Sequence, residues 1–114
     1  MLLIYTDETA RSRYSRAEQQ GILDDHAKFR AEAQAAGKYV SEQMLQPTTH
    51  AVRLRRRQGK YLRKQGPLRD QPEQFGGYFI LDCEDQAEAV RWAVKLPEIR
   101  LGTVIVRELV AAPM

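Results

Sequence analysis

The chain has 114 residues, a formal net charge of +3, 43% hydrophobic residues and 29% charged residues. This length predicts one domain over residues 1–114, and this composition excludes a wholly disordered chain. The first apolar stretch, MLLIY, is too short for a signal-peptide core or a membrane span, so we predict a cytoplasmic protein with no membrane partner. The lone cysteine, Cys83, excludes an intramolecular disulfide, and its setting in YFILDC is typical of a buried strand end rather than a reactive thiol.

The first part of the chain reads as a strand, a helix and a second strand. MLLIY is continuous and apolar, like a strand covered on both faces. A helix over residues 14–36 is predicted by side chains that recur at steps of three and four: Ile22, His26, Phe29, Ala33 and Ala36. Gly37 ends this helix, and a break at Gly21 is a second interpretation because glycine costs about 1 kcal/mol inside a helix. KYVSEQML is predicted as a strand that Pro47 ends.

The second part reads as a hairpin, a loop, a strand, a helix and a last strand. HAVRLRRR and KYLRK flank Gln58-Gly59, a pair that suits a two-residue hairpin turn. A polar loop over residues 65–76 leads to the predicted strand YFILDC. Asp85 with Glu88 forms a helix-capping pattern before AEAVRWAVKL, which Pro97 closes, and TVIVRELV supplies the final strand.

This order of elements predicts an α+β fold. Two helices and a mostly antiparallel sheet indicate a ferredoxin-like split βαβ arrangement with both helices on one face. The other face of the sheet is then bare. Burial of that face against a second copy is a common solution, so we predict a homodimer.

The stretch QGPLRDQPEQFGGYF, residues 65–79, resembles the motif of one branch of the YCII-related family, which is named for the sequence DGPFAETKE. The shared positions are Gly66, Pro67, Glu73, Gln74, Gly76, Gly77 and the aromatic Tyr78. Further similar segments occur in the family's order: MLLIY, Gly37, LQP, AVR and EAVRWAVKLPEIRLGTVIVRE. The departures are Gln65 for the motif's acid, Leu68 for its phenylalanine, Asp70 for its glutamate and Pro72 for its lysine. Gln65 cannot act as a carboxylate base, although it can still hydrogen bond to a turn.

The resemblance implies a ferredoxin-like fold that pairs as a dimeric α/β barrel. It also implies similarity to small enzymes that have a histidine and an aspartate in a cleft. His26 matches the family's helix histidine, and Asp7 is our candidate for its acid, followed by Glu8 and Asp25. Arg53 falls at the family's VR position. The predicted substrate-binding residues are Arg53, Gln65, Gly66, Pro67 and Glu73.

We expect His26 to carry out proton transfer, because histidine changes its charge near neutral pH and can act as a general acid or base. The alternative is a core histidine held by one hydrogen bond. His50 is interpreted as a solvated loop residue. Two histidines 24 positions apart and one cysteine show no metal-ligand spacing, and nucleotide-binding glycine motifs are absent, so we predict neither a metal nor a cofactor.

Residues 53–64, RLRRRQGKYLRK, carry seven basic and no acidic side chains, which leaves −4 for the rest of the chain (3 − 7). The predicted hairpin places Arg57 opposite Lys60 and Arg53 opposite Lys64, and like charges that face each other are destabilising. Three interpretations stay open: a solvated edge strand neutralised by a partner's acids, a small anionic ligand, and nucleic acid. Nucleic acid is the least favoured of the three from sequence alone.

The sequence therefore predicts a small homodimeric enzyme in which His26, with an acid such as Asp7, transfers protons on a small anionic or aromatic molecule. The alternative is a non-catalytic ligand-binding or regulatory module, which the missing motif acid at Gln65 favours. The 65–79 loop is interpreted either as a wall or lid of the cleft, or as a turn that only sets strand register.

Overall fold

The computed structural model describes residues 1–110 of the chain, so the last four residues of the predicted domain lie outside the described residues. The strands are β1 (Leu2–Asp7), β2 (Tyr39–Met44), β3 (Val52–Arg57), β4 (Lys60–Gln65), β5 (Glu73–Leu81) and β6 (Gly102–Val106). The α-helices are α1 (Arg16–Ala35), α2 (Gln86–Ala93) and α3 (Glu98–Leu101), with short 3-10 helices at Glu8–Arg13 and Thr48–His50. Within this part of the chain, every helix is too short or too polar to cross a membrane.

The main sheet has four strands in the order β2-β5-β1-β6, and all its neighbours are antiparallel. The first strand of each βαβ unit is thus separated from the second by a strand of the other unit, which is the split arrangement of a ferredoxin-like fold. Side chains of α1 and α2 enter the same core cluster as alternate residues of β1 and β5. The predicted α+β fold is confirmed.

The core lies between the helices and one face of the main sheet. It is formed by Leu2, Ile4, Phe29, Phe79, Ala93 and Leu96. The Phe29 ring meets Phe79 at 4.9 Å between centroids and Trp92 at 5.8 Å, both edge to face. Burying a side chain of this size contributes about 1.5–3 kcal/mol, so this aromatic cluster fixes α1 and α2 against β5.

The two helices begin at side-chain caps. Ser15 accepts a hydrogen bond from the backbone of Glu18, and the Glu18 carboxylate accepts one from the backbone of Ser15, which is a complete capping box. The helix α1 runs through Gly21 without interruption, so the interpretation with a break there is wrong. Gly37, at φ 71°, follows its end as predicted.

The region after β5 differs from the prediction in three places. Asp85 caps α2 as expected, but α2 ends at Ala93, and Pro97 begins the separate short helix α3 instead of closing α2. The last strand covers only Gly102–Val106. Cys83 lies beyond the end of β5 and is half-buried.

The strands β3 and β4 form a two-stranded sheet of their own, outside the main sheet. The turn is the predicted Gln58-Gly59 pair, with φ of 51° and 76°. Two successive positive φ values are those of a type I′ turn, whose twist matches that of the strands it joins. The predicted register is confirmed, since Arg57 pairs with Lys60 and Arg53 with Lys64.

Candidate functional site

A cavity of about 250 Å³ opens at the end of β1, beside the first half of α1. Its walls combine the end of β1, the following 3-10 helix, α1, the end of β2 and α3. The apolar side chains that line it are Ile4, Ile22, Leu23, Met44, Leu45 and Leu101. Its polar lining includes Thr6, Asp7, Glu8, Arg11, Gln19, His26 and Glu98. Apolar walls that carry polar groups able to orient a ligand are the usual form of a small-molecule site.

His26 lies in the middle of α1 and lines this cavity. Its Nε2 atom is hydrogen bonded to Oε1 of Glu98, the first residue of α3. The two side chains are only 12% and 6% exposed, and the His26 ring lies 6.0 Å from the ring of Phe79. The hydrogen bond and the surrounding apolar groups therefore hold the imidazole in one orientation.

Glu98 was not among the acids predicted from the sequence as partners of His26. Its other carboxylate oxygen, Oε2, is buried and has no hydrogen-bond partner among the described residues. A buried carboxylate is costly unless it is paired, so we expect Glu98, beside a histidine, to have a role other than filling the core. The only local sequence feature related to the position of Glu98 is PEI, in which Pro97 starts a new helical turn and brings Glu98 under the sheet.

The predicted acid, Asp7, lines the same cavity but has a different hydrogen-bond partner. One of its carboxylate oxygens accepts hydrogen bonds from the Thr9 hydroxyl at 2.7 Å and the Thr9 amide at 2.9 Å, and Arg13 lies 3.7 Å from the other. The hydrogen bonds from Thr9, together with Arg13, hold the pKa of Asp7 below its usual range. Asp7 is thus an anion that caps the 3-10 helix, and the acid bonded to His26 is Glu98.

The rim of the cavity is fixed by a bond between two distant segments. The Glu8 carboxylate accepts hydrogen bonds from the amide of Thr48 at 2.8 Å and from its hydroxyl at 2.7 Å. These bonds join the 3-10 helix after β1 to the segment before β3. Arg11, on the same 3-10 helix, lines the cavity and has no carboxylate within 4.0 Å among residues 1–110. Its guanidinium can therefore receive an anionic group.

A second ionic cluster lies on the same side of the sheet. Glu42 on β2 accepts hydrogen bonds from Arg30 of α1 and from the Tyr39 hydroxyl. Burial raises the pKa of Glu42, but the bonds from Arg30 and Tyr39 outweigh it, and the pKa is lowered overall. This pair ties α1 to the edge strand β2 close to His26. Neither Glu42 nor Arg30 was predicted as a functional residue from the sequence.

The predicted substrate-binding residues do not line the cavity of this chain. Gln65 donates from Nε2 to the carbonyl of Thr49 at 2.8 Å, and Gly66, at φ 109°, donates its amide to the carbonyl of Ala51 at 2.8 Å. These bonds close the base of the hairpin, which is the turn-holding role considered for glutamine. The remaining predicted residues are Arg53 on β3, Pro67 after β4 and Glu73, which pairs with Asp7 in the sheet. That these five residues bind a substrate stays a prediction.

The predicted loop is shorter than expected, because strand β5 already begins at Glu73, and the 65–79 segment reaches the cavity at one glycine within that strand. Gly76 lines the cavity, at the point where β5 bulges against β1. Its neighbour Gly77 is enclosed, because a Cβ atom there would lie 2.9 Å from the Gln43 carbonyl and 2.5 Å from Met44 Sδ. Gly77 thus serves close strand contact beside the cavity, and the interpretation of the loop as a lid stays a prediction.

The described residues contain no group of three histidine, cysteine or acidic side chains placed to hold a metal ion. Burial raises the pKa of the Cys83 thiol, so that it is predominantly protonated at neutral pH. His50 lies in the short 3-10 helix before β3 and is exposed. Among the side chains that line the cavity, His26 and the carboxylates around it are suited to proton transfer.

Comparisons with known proteins agree with the resemblance seen in the motif. The YCII-related domain family matches residues 1–112 of the chain. An uncharacterized protein of Rhizobium meliloti (strain 1021) is 32% identical over 102 residues, which is 90% of this chain and 82% of that protein. The narrower assignment to the DGPFAETKE branch stays a prediction. The chain belongs to the YCII-related domain family.

Proposed function

We propose that the chain is an acid–base enzyme that moves protons on a small molecule bound in the cavity beside His26. The observation that carries this proposal is the hydrogen bond between His26 Nε2 and Glu98 Oε1 at the wall of that cavity. Histidine is suited to proton transfer near neutral pH, and a carboxylate bonded to one ring nitrogen orients the ring for reaction at the other.

In this proposal the two ring nitrogens of His26 have different roles. Nε2 donates to Glu98, and Nδ1 exchanges a proton with the ligand. When Nδ1 accepts a proton, the positive charge of the imidazolium is stabilised by the Glu98 carboxylate. The imidazolium then returns a proton to the ligand at the same or another atom, so His26 ends in its starting state. Glu98 acts through His26 and is a positioning residue.

The cavity also supports a ligand class. Its apolar walls favour an aromatic or aliphatic body, and Arg11 at the rim favours an anionic group such as a carboxylate. The volume of about 250 Å³ restricts the ligand to a small molecule. Asp7 lines the same space, and we propose it as a second carboxylate that directs which end of the ligand faces inward.

The alternative function is a non-catalytic ligand-binding module. Gln65 in place of the motif's acid favours this alternative, because the glutamine amide is occupied by the Thr49 carbonyl and supplies no base. Both functions use the same cavity. They differ in whether a bound ligand exchanges protons through His26.

A homodimer completes the proposal. Alternation along the strands turns Leu3, Tyr5, Tyr78, Ile80 and Ile105 away from the helices, to the face opposite the core. Ile105 is 41% exposed, and Leu3 pairs with both Tyr78 and Ile105 in the sheet, so the apolar surface is continuous. A second copy placed against this face would bury it and give the dimeric α/β barrel.

Solvent hydrogen exchange tests the proposed chemistry without knowledge of the overall reaction. The protein is incubated in D2O with a panel of small aromatic and aliphatic carboxylic acids, and NMR follows the loss of each C–H signal. We expect exchange on at least one compound with the wild type and the His50→Gln control, and none with His26→Gln. Ligand-observed NMR then shows whether His26→Gln still binds that compound.

Two results would overturn the acid–base function. Equal exchange by the wild type and His26→Gln would exclude proton transfer by this histidine. Binding of panel compounds by the wild type without exchange on any of them would establish the binding-module alternative instead.

A further inference from the structure

The hairpin of β3 and β4, residues 52–65, extends from the main sheet with almost all its residues exposed. We call it the ribbon. Leu54 is 69% exposed and Tyr61 is 78% exposed, although both lie within strands. A two-stranded sheet with both faces in solvent is marginally stable by itself, which indicates that a further partner covers the ribbon.

The register divides the ribbon into two chemically different faces. Paired residues of antiparallel strands share a face, and the pairs Arg53/Lys64, Arg55/Leu62 and Arg57/Lys60 alternate with the other three pairs. One face, the basic face, therefore carries Arg53, Arg55, Arg57, Lys60 and Lys64 around Leu62. The opposite face carries Val52, Leu54, Arg56, Tyr61, Arg63 and Gln65.

The charges of the basic face are not balanced within the described chain. Arg53 is directly opposite Lys64, and Arg57 is directly opposite Lys60, so two like-charged pairs repel each other across the ribbon. Among residues 1–110, no carboxylate lies within 4.0 Å of any basic group of the ribbon. Residues 53–64 contribute +7 to a chain whose net charge is +3. A polyanion would remove this repulsion.

We propose that the basic face binds the phosphate backbone of nucleic acid. A six-residue strand is about 20 Å long, and side chains on one face recur at about 6.8 Å, so the arginine row can follow several successive phosphates. The major groove of a DNA duplex admits a two-stranded ribbon of this kind. Arginine also binds phosphate oxygens in a bidentate way.

The opposite face adds a means of contact with bases. The Arg56 guanidinium lies over the Tyr61 ring at 5.7 Å from its centroid, and this aromatic group is exposed. An exposed aromatic group next to arginines is the type of surface on which unpaired bases stack. The ribbon therefore supports duplex binding through its basic face and single-strand binding through both faces, with the phosphates as the shared ligand.

Fluorescence anisotropy with a labelled random-sequence DNA duplex and a labelled random-sequence single-stranded RNA tests this inference on the full chain. With four or five phosphates neutralised on the duplex, log K should fall with log salt at a slope of about −4, which is a loss of about 10²-fold between about 50 and 200 mM salt. In the double variant Arg55→Gln/Arg57→Gln the slope should become shallower by about 2. Circular dichroism verifies that each variant is folded.

The matched control removes two cations elsewhere, with the double variant Lys28→Gln/Arg91→Gln on α1 and α2, where both side chains are exposed. Its affinity and salt slope should stay close to those of the wild type. Absence of binding to both probes at about 50 mM salt would overturn the proposal, and so would equal losses in the ribbon and control variants. Normal binding with a lower sedimentation mass in the ribbon variant would assign the basic face to contacts between copies instead.

Discussion

His26 Nε2 and Glu98 Oε1 form a hydrogen bond that joins the middle of α1 to the first residue of α3, across 72 positions of sequence. The bond lies beside the cavity and the aromatic core, since the His26 ring is 6.0 Å from Phe79. It therefore has two consequences. It orients the residue proposed to transfer protons, and it holds a charged side chain in an apolar environment at some cost to stability.

Removal of the Glu98 carboxylate should destabilise the fold. Glu98→Ala leaves the half-buried Nε2 of His26 without its partner and opens a space beneath the sheet, and we expect a loss of about 1–3 kcal/mol in the free energy of unfolding. Glu98→Gln keeps an acceptor for Nε2 and should lose less. Urea unfolding of the two variants measures the difference. An unchanged midpoint for Glu98→Ala would mean that the bond contributes nothing to the fold.

Two glycine substitutions should change stability in opposite directions. Gly21 lies inside α1 with nothing within 4 Å of an added Cβ, so Gly21→Ala should raise the free energy of unfolding by about 0.5–1 kcal/mol. Gly77 is enclosed by β2, so Gly77→Ala should lower it by about 1–3 kcal/mol through the contacts with Gln43 and Met44. Thermal unfolding of both variants beside the wild type tests the pair. A stabilising Gly77→Ala would contradict the strand spacing next to the cavity.

The Glu42 cluster should make stability depend on pH in the acid range. Its pKa in the folded chain lies below the ordinary value of 4.5, so at low pH the unfolded chain takes up the proton first. The stability from this group is present above that ordinary value and is lost as the pH falls through the lowered pKa. Glu42→Gln should therefore flatten the decline in unfolding free energy between about pH 5 and pH 2. A decline as steep as that of the wild type would exclude Glu42 as a contributor.

The proposed dimer can be tested with two apolar residues of similar exposure. Ile105 is 41% exposed on the open face of the main sheet, and Val94 is 57% exposed at the end of α2. A charge in the centre of a buried apolar interface is strongly unfavourable. Ile105→Asp should therefore shift the sedimentation equilibrium to monomers, whereas Val94→Asp should sediment like the wild type. Wild-type protein that is monomeric at every concentration would contradict the dimer.

Sequence reasoning located the elements whose signals are local. Gln58-Gly59, Gly37 and the Asp85 cap each depend on backbone conformations that only a few residue types adopt, and the structure has all three where they were predicted. The apolar runs of β1 and β5 are also local signals, and the order of the elements predicted the split arrangement of the main sheet. The capping box at Ser15 and Glu18 was equally local but was overlooked.

The candidate site was predicted only in part because its contacts span the chain. His26 could be found from its place on the apolar face of α1. Glu98 could not, because a glutamate after a proline is an ordinary surface sequence, and only the tertiary fold brings it beneath the sheet. Asp7 was the predicted acid partner, yet the nearby Thr9 satisfies its carboxylate. The separation of the hairpin from the main sheet likewise has no signal in its own residues.

The NMR signal of the His26 ring proton on Nε2 tests the pairing of His26 with Glu98 most directly. A proton held in a hydrogen bond to a buried carboxylate exchanges slowly with water and resonates far downfield, so it should be visible in the wild type. We expect this signal, assigned through long-range correlations within the ring, to disappear in Glu98→Ala and to persist in Asp7→Ala. A signal that persists in Glu98→Ala, or one that only Asp7→Ala removes, would contradict the pairing of His26 with Glu98.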